Sequence, residues 1–170
     1  VNLAILFPNY VWFYQNSKNK GVKIMNIYIA SDHAGFELKK NVVDFLKSTG
    51  VQVFDLGPHD TTSVDYPDYA DLVCQKLKLT PTDFGILICG SGQGMALRAN
   101  KYSHIRAALV YNDEIAQLSR EHNNANVICL GSRFCTTQNA QNWINIFLKT
   151  PFSEGRHALR VAKVSTPINN

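Results

Sequence analysis

The 170-residue chain is 45% hydrophobic and 18% charged, enough apolar material for one packed core and too little charge for a disordered chain. Its formal net charge of +4 comes largely from Lys18, Lys20 and Lys23, since residues 1–24 hold no Asp or Glu; subtracting those three leaves +1 for the rest. No arginine-rich patch with interleaved aromatics is present, which argues against a nucleic-acid partner, and no apolar run reaches the roughly 20 residues that span a bilayer.

Residues 1–24 are apolar and aromatic in part, but they lack a basic first segment and are interrupted by Pro8, Asn9 and Asn16, a poor match to a secretory signal. Met25 directly precedes the first strand-like run and reads as the natural start. The leader is therefore expected to be poorly ordered upstream sequence without function, and residues 25–170 to form one domain. Cys74, Cys89, Cys129 and Cys135 make no C-x-x-C pair, and His33, His59, His104, His122 and His157 fall at spacings that build no recognised zinc site. Reduced thiols in a cytoplasm are the simplest expectation.

From Asn26 onward, short aliphatic runs alternate with segments of helical period, the pattern of a parallel sheet covered by helices. "NIYIA" (26–30) is the first strand candidate. "FELKKNVVDFLKSTG" follows as a helix that gathers Leu38, Val42, Val43, Phe45 and Leu46 on one face and closes at Gly50. "VQVFDLG" (51–57) precedes a helix in "DYADLVCQKLK", and "FGILICG" (84–90) precedes one in "GMALRANK". "RAALVY" (106–111) leads to "DEIAQLSREH", and "NVICLG" (126–131) to "TTQNAQNWINIFLK". A final helix, "SEGRHALRVAKV", sets Arg156 and Arg160 four residues apart on one face. The expected fold is α/β: a doubly wound, Rossmann-like, five-stranded parallel sheet flanked by helices, in a single domain. In such sheets ligands bind beyond the carboxyl ends of the strands.

The first strand ends in "ASDHAG", offering Asp32 and His33; Asp32 would serve as a helix cap if it has no chemical role. "DYPDYADL" presents Tyr66, with Asp68 as a candidate cap. The third strand ends at Cys89, followed by Gly90, Ser91, Gly92 and Gly94. Small residues at a strand-to-helix turn free backbone N–H groups to converge on an anion. The dinucleotide fingerprint G-x-G-x-x-G would need glycine where Met95 stands, although Asp113 falls near the position of a ribose-binding carboxylate. Cys89 admits two readings, a small buried hydrophobe or a thiolate beside an anion-binding turn. His122 and Asn123 close a helix, where a histidine also complements the helix dipole. Arg133, Arg156 and Arg160 suit phosphate geometry, or a solvated surface.

Together, "SDHAGFELK", "DYPDYA", "CGSGQGMALRANK", "IRAAL", "SREHNNANV", "LGSR" and "GRHALRV" resemble the type B ribose-5-phosphate isomerase family, which also includes isomerases of allose and galactose 6-phosphates. The resemblance runs from about Met25 to Val164. It implies a homodimer, or a tetramer built from it, with the active site between subunits and neither metal nor organic cofactor required. By the same resemblance Cys89 is the base that takes the proton beside the sugar carbonyl. Ser91 assists proton movement, the amides from Gly90 to Gly94 hold the enediolate, and His122 helps open the furanose ring. Asp32 and Tyr66 contact the sugar, Asn123 lies near the intermediate, and His33, Arg133, Arg156 and Arg160 bind phosphate, some from the partner subunit. Members that use a glutamate after the glycine turn have it where Met95 stands here, which points to Cys89. The expected activity is interconversion of ribose 5-phosphate and ribulose 5-phosphate through an enediolate. The alternatives are a six-carbon sugar phosphate as substrate, or a binding module without catalysis.

Overall fold

Val, Ile, Leu and Cys crowd the segments that become strands, and strands that are apolar on both faces belong inside a parallel sheet covered by helices. In the computed structural model, which describes residues 25–167, that is where they lie. β1 (Asn26–Ser31), β3 (Phe84–Cys89) and β5 (Val127–Gly131) are buried almost throughout, whereas β2 (Gln52–Asp55) and β4 (Ala107–Leu109) are partly open. The strand order is β2-β1-β3-β5-β4, and every pairing is parallel. The expectation for residues 1–24 lies outside the described residues.

The described residues form six helices, α1 (Phe36–Ser48), α2 (Tyr66–Leu79), α3 (Gln93–Ala99), α4 (Asp113–Glu121), α5 (Thr137–Lys149) and α6 (Arg156–Ser165). One face of the sheet packs on α1 and α5 through Val42, Leu46, Ile144 and Phe147, and the other on α2 and α3 through Val73, Leu77, Met95 and Ala99. The apolar face read for α1 is buried at Leu38, Val42, Val43 and Leu46, with Phe45 only partly so, and Gly50 follows the helix at φ +80°. The cap of α2 differs from expectation. Asp65, with extended backbone, is the N-cap and Asp68 lies in the first turn, because Pro67 occupies an opening position where its missing N–H and fixed φ cost nothing.

α6 departs from the pattern of the other helices. It is strongly amphipathic, yet none of its residues is buried by its own chain, and Leu159 and Val164 are 74% and 71% exposed. No helix among the described residues is long and apolar enough to cross a membrane.

Candidate active site

β1 and β3 are neighbours, and the chain beyond β1 folds over the end of β3: the Asp32 amide donates to the Ile88 carbonyl at 3.0 Å. Gly35 lies so close that a Cβ there would sit 2.5 Å from the Ile88 carbonyl oxygen. Asp32 is buried, and one carboxylate oxygen accepts the Gly35 N–H at 2.8 Å, so part of this carboxylate shapes the turn ahead of α1. His33 is exposed, and its Nδ1 accepts the Val64 N–H at 3.3 Å, which links the β1 end to the loop that enters α2 at Tyr66.

Cys89 is the last residue of β3 and is buried; its Sγ accepts the Gly92 N–H at 3.1 Å. The bond requires the chain to fold back within three residues, and Gly92 does so at φ +76°, a left-handed conformation that L side chains avoid. Space there is equally restrictive, since a Cβ on Gly92 would come within 2.9 Å of the Leu130 carbonyl carbon. The first bond of α3 runs from Ala96 N to Gly92 O, so the Gly94 and Met95 amides ahead of it have no partner within the helix. Ser91 is exposed on the turn, its Oγ accepting from Gln93 N at 3.3 Å. Burial pushes the Cys74 thiol up to about 12 and Cys129 well above an ordinary thiol.

Two more of the expected residues close on this turn. The Tyr66 ring lies against Gly94, where a Cβ would stand 3.0 Å from the phenol oxygen. The Arg133 guanidinium lies over Gly90, with Cζ 3.2 Å from a Cβ placed there. Arg133 is held by the loop after β5, whose Ser132 and Arg133 amides donate to the Cys89 and Gly90 carbonyls at 2.9 and 3.1 Å. Ser132, which sequence reasoning missed, also donates through Oγ to the Ala34 carbonyl at 2.9 Å and so ties the ends of β1, β3 and β5 together. Its signal was the invitingly small "GSR" at a strand end. Asp32, His33, Tyr66, Cys89, Gly90, Ser91, Gly92, Gly94 and Arg133 therefore form one cluster at the carboxyl ends of the strands.

The remaining candidates stand elsewhere. His122 caps the carboxyl end of α4, and the residues after it lead into the start of β5, so His122 and Asn123 lie at the amino ends of the strands. Gly131, at the far end of β5, pairs with Cys89; four strand steps between Val127 and Gly131 are about 13 Å. The His122 ring stacks on His157 of α6, centroids 4.2 Å apart and planes 4° from parallel. Loss of hydration, with the charges of His122, Arg156 and Arg160, holds His157 below the ordinary imidazole value. Arg160 lines a 400 Å³ cavity together with Asn123, Arg106 and Val164. Asp113, the candidate ribose ligand, is engaged elsewhere: its Oδ1 accepts from Trp143 Nε1 at 2.8 Å and from Asn142 at 3.0 Å, joining α4 to α5.

Residues 27–164 match the model of the family described as ribose/galactose isomerase. A probable ribose-5-phosphate isomerase B of Mycoplasma pneumoniae is 47% identical over 139 residues, 81% of this chain and 91% of that one. The ribose-5-phosphate isomerase B of Escherichia coli is 39% identical over 139 residues, 82% of this chain and 93% of its own. A crystal structure of a ribose 5-phosphate isomerase from Thermotoga maritima superposes with a TM-score of 0.82 at 46% identity, covering 84% of this chain and 99% of that one. The ribose-5-phosphate isomerase B of Mycoplasma genitalium, solved with bound ribulose-5-phosphate, gives 0.80 at 46% identity, covering 83% and 94%.

Proposed function

The chain belongs to the ribose/galactose isomerase family, and we propose that it interconverts ribose 5-phosphate and ribulose 5-phosphate as a homodimer, each active site drawing on both subunits. The observation that carries the isomerase reading is Cys89, a buried thiol at the end of a central strand with a glycine turn folded onto its sulfur. Four free cysteines suit a reducing cytoplasm.

The chemistry needs a base and a way to hold the charge it creates. As the thiolate, Cys89 takes the C2 proton of the open-chain aldose and returns a proton to C1, leaving the ketose. Between those steps the electron pair rests on the enediolate oxygen, faced by the amides from Gly90 to Gly94; one such donor is worth about 3 kcal/mol. Ser91 assists the proton's passage between the two oxygens. Asp32 and Tyr66 fix the sugar hydroxyls, and His33 and Arg133 take the phosphate, whose grip away from the reacting carbons orients C1 and C2.

The dimer reading rests on what one chain lacks. His122, Asn123, Arg156 and Arg160 are expected at the same substrate as Cys89, yet a strand's length separates the two clusters. A two-fold axis that brings the strand amino ends of one subunit to the carboxyl ends of the other completes both sites at once. His122 of the partner subunit then opens the furanose ring, Asn123 of the partner subunit approaches the intermediate, and the partner's Arg156 and Arg160 close on the phosphate. α6 supports this arrangement: an amphipathic ten-residue helix with nothing buried in its own chain needs an external surface to hold it.

Turnover of ribose 5-phosphate by Cys89→Ala tests the assignment. The variant should lose on the order of a hundredfold to ten-thousandfold in kcat while still binding phosphate; undiminished turnover overturns the base assignment. Allose and galactose 6-phosphates assayed beside ribose 5-phosphate decide the sugar, and a preference for either hexose overturns the pentose reading.

A further inference from the structure

The residues that follow His122 are held by a polar network unrelated to the Cys89 cluster. Asn124 stands at φ +46°, one of two non-glycine residues with positive φ among the described residues. Two backbone bonds fold the chain back over the end of α4, from Asn124 N to Arg120 O at 3.1 Å and from Ala125 N to Ser119 O at 3.0 Å. Two arginines then converge on the same residue. Arg106 Nε donates to the Asn124 carbonyl at 2.8 Å, and Arg120 Nη1 donates to Asn124 Oδ1 at 2.8 Å and to the Ala125 carbonyl at 2.6 Å.

Arg120 is an expensive way to fill its space. It is buried, its guanidinium lies 4.8 and 5.6 Å from the ring centres of Phe84 and Phe147, and its hydrogen-bond partners are an amide side chain and a carbonyl rather than a carboxylate. Its Nε has no partner. Burial lowers its pKa to about 10, still charged at neutral pH, and the Arg106 charge adds to the penalty. A leucine between two phenylalanines would avoid that desolvation. What a leucine cannot do is donate to Asn124 and Ala125. Arg106 is itself locked in place, its N–H donating to Asn126 Oδ1 at 2.8 Å and its carbonyl accepting from Asn126 N at 3.1 Å.

We propose that Arg106, Arg120 and Asn124 are positioning residues: the arginines clamp Asn124 in a left-handed turn, and that turn fixes the direction in which His122 and Asn123 leave the end of α4. The inference rests on the assignment of His122 to ring opening. Asparagine suits the position because it tolerates the left-handed region better than other side chains and its Oδ1 receives Arg120.

The test is a double-mutant cycle on kcat for ribose 5-phosphate, normalised to folded protein. Asn124→Ala loses the Arg120 bond to Oδ1 and the ease of the left-handed turn, keeping only the arginine bonds to backbone carbonyls, and should lower kcat about tenfold with KM within about twofold. Asn124→Gly loses the same hydrogen bond but keeps the backbone conformation, and should stay within about twofold of the parent. In a background lacking both groups, His122→Ala with Asn123→Ala, Asn124→Ala should cost nothing further, because its effect passes through those two side chains. A full tenfold loss in that background, or equal losses for Ala and Gly, overturns the proposal while leaving the His122 assignment standing. If His122→Ala is itself as fast as the parent, the ring-opening assignment falls and the proposal with it. Should Asn124→Ala fail to fold, Arg106→Lys, which removes the Nε donor, goes through the same cycle with the same criteria.

Discussion

Mixing Cys89→Ala protein with His122→Ala protein, after dissociation and reassembly, should restore activity well above that of either parent. Within one chain Cys89 ends β3 and His122 precedes β5, and the length of β5 keeps them about 13 Å apart along the strands. If each site takes Cys89 from one subunit and His122 from its partner, each parent dimer has two defective sites. A mixed dimer then has one site with both groups intact and one with neither. Random pairing of equal amounts makes half the dimers mixed, and one site in two of those works, so about a quarter of the unsubstituted protein's turnover should return. The assay is ribulose 5-phosphate formation after reassembly, against each variant alone and an unmixed blend. Activity that stays at the sum of the separate variants refutes the shared site. So does full recovery without subunit exchange.

Gly92→Ala should destabilise the protein by about 3 kcal/mol, from the left-handed backbone and unyielding contact with the Leu130 and Gly131 backbone, lowering the melting temperature by roughly 10 °C; an unchanged melting curve contradicts the strain. Lys39, buried in α1, donates to Asp55 at 2.5 and 2.7 Å and to the Pro58 carbonyl at 2.8 Å. Because Asp55 retains some access to water, Lys39→Met should cost about 2 kcal/mol in denaturant unfolding, less than a fully buried pair, and a change below a few tenths would remove the pair from the stability argument. His157 should titrate below the ordinary imidazole value by NMR, since the folded state disfavours its protonation. The unfolded chain therefore binds that proton more readily, so the histidine contributes to stability above about pH 6.5 and loses that contribution as pH falls through its folded pKa. A folded pKa at or above the ordinary value would contradict this sign.

Five strands, their parallel arrangement and the glycine turn after Cys89 were legible in the amino-acid order because each depends on local events: aliphatic runs too apolar to face water, and small residues where a strand must turn sharply into a helix. The proposal of Cys89 as base leans on the family resemblance, in which Met95, a side chain that cannot accept a proton, stands where other members carry a glutamate. The cap of α2 was less accessible, since Asp65 and Asp68 both stand near its start and only the backbone path around Pro67 selects Asp65. What the order of residues could not determine is which candidates meet. Strand order brings Ser31, Cys89 and Gly131 side by side although they are far apart in the chain, and so delivers Tyr66 and Arg133 to the glycine turn. The same topology carries His122 to the opposite end, because a helix that connects parallel strands must run back along the sheet before the next strand begins. Local chemistry thus selected the residues, and the direction of each crossover decided which of them one subunit can bring to a single substrate.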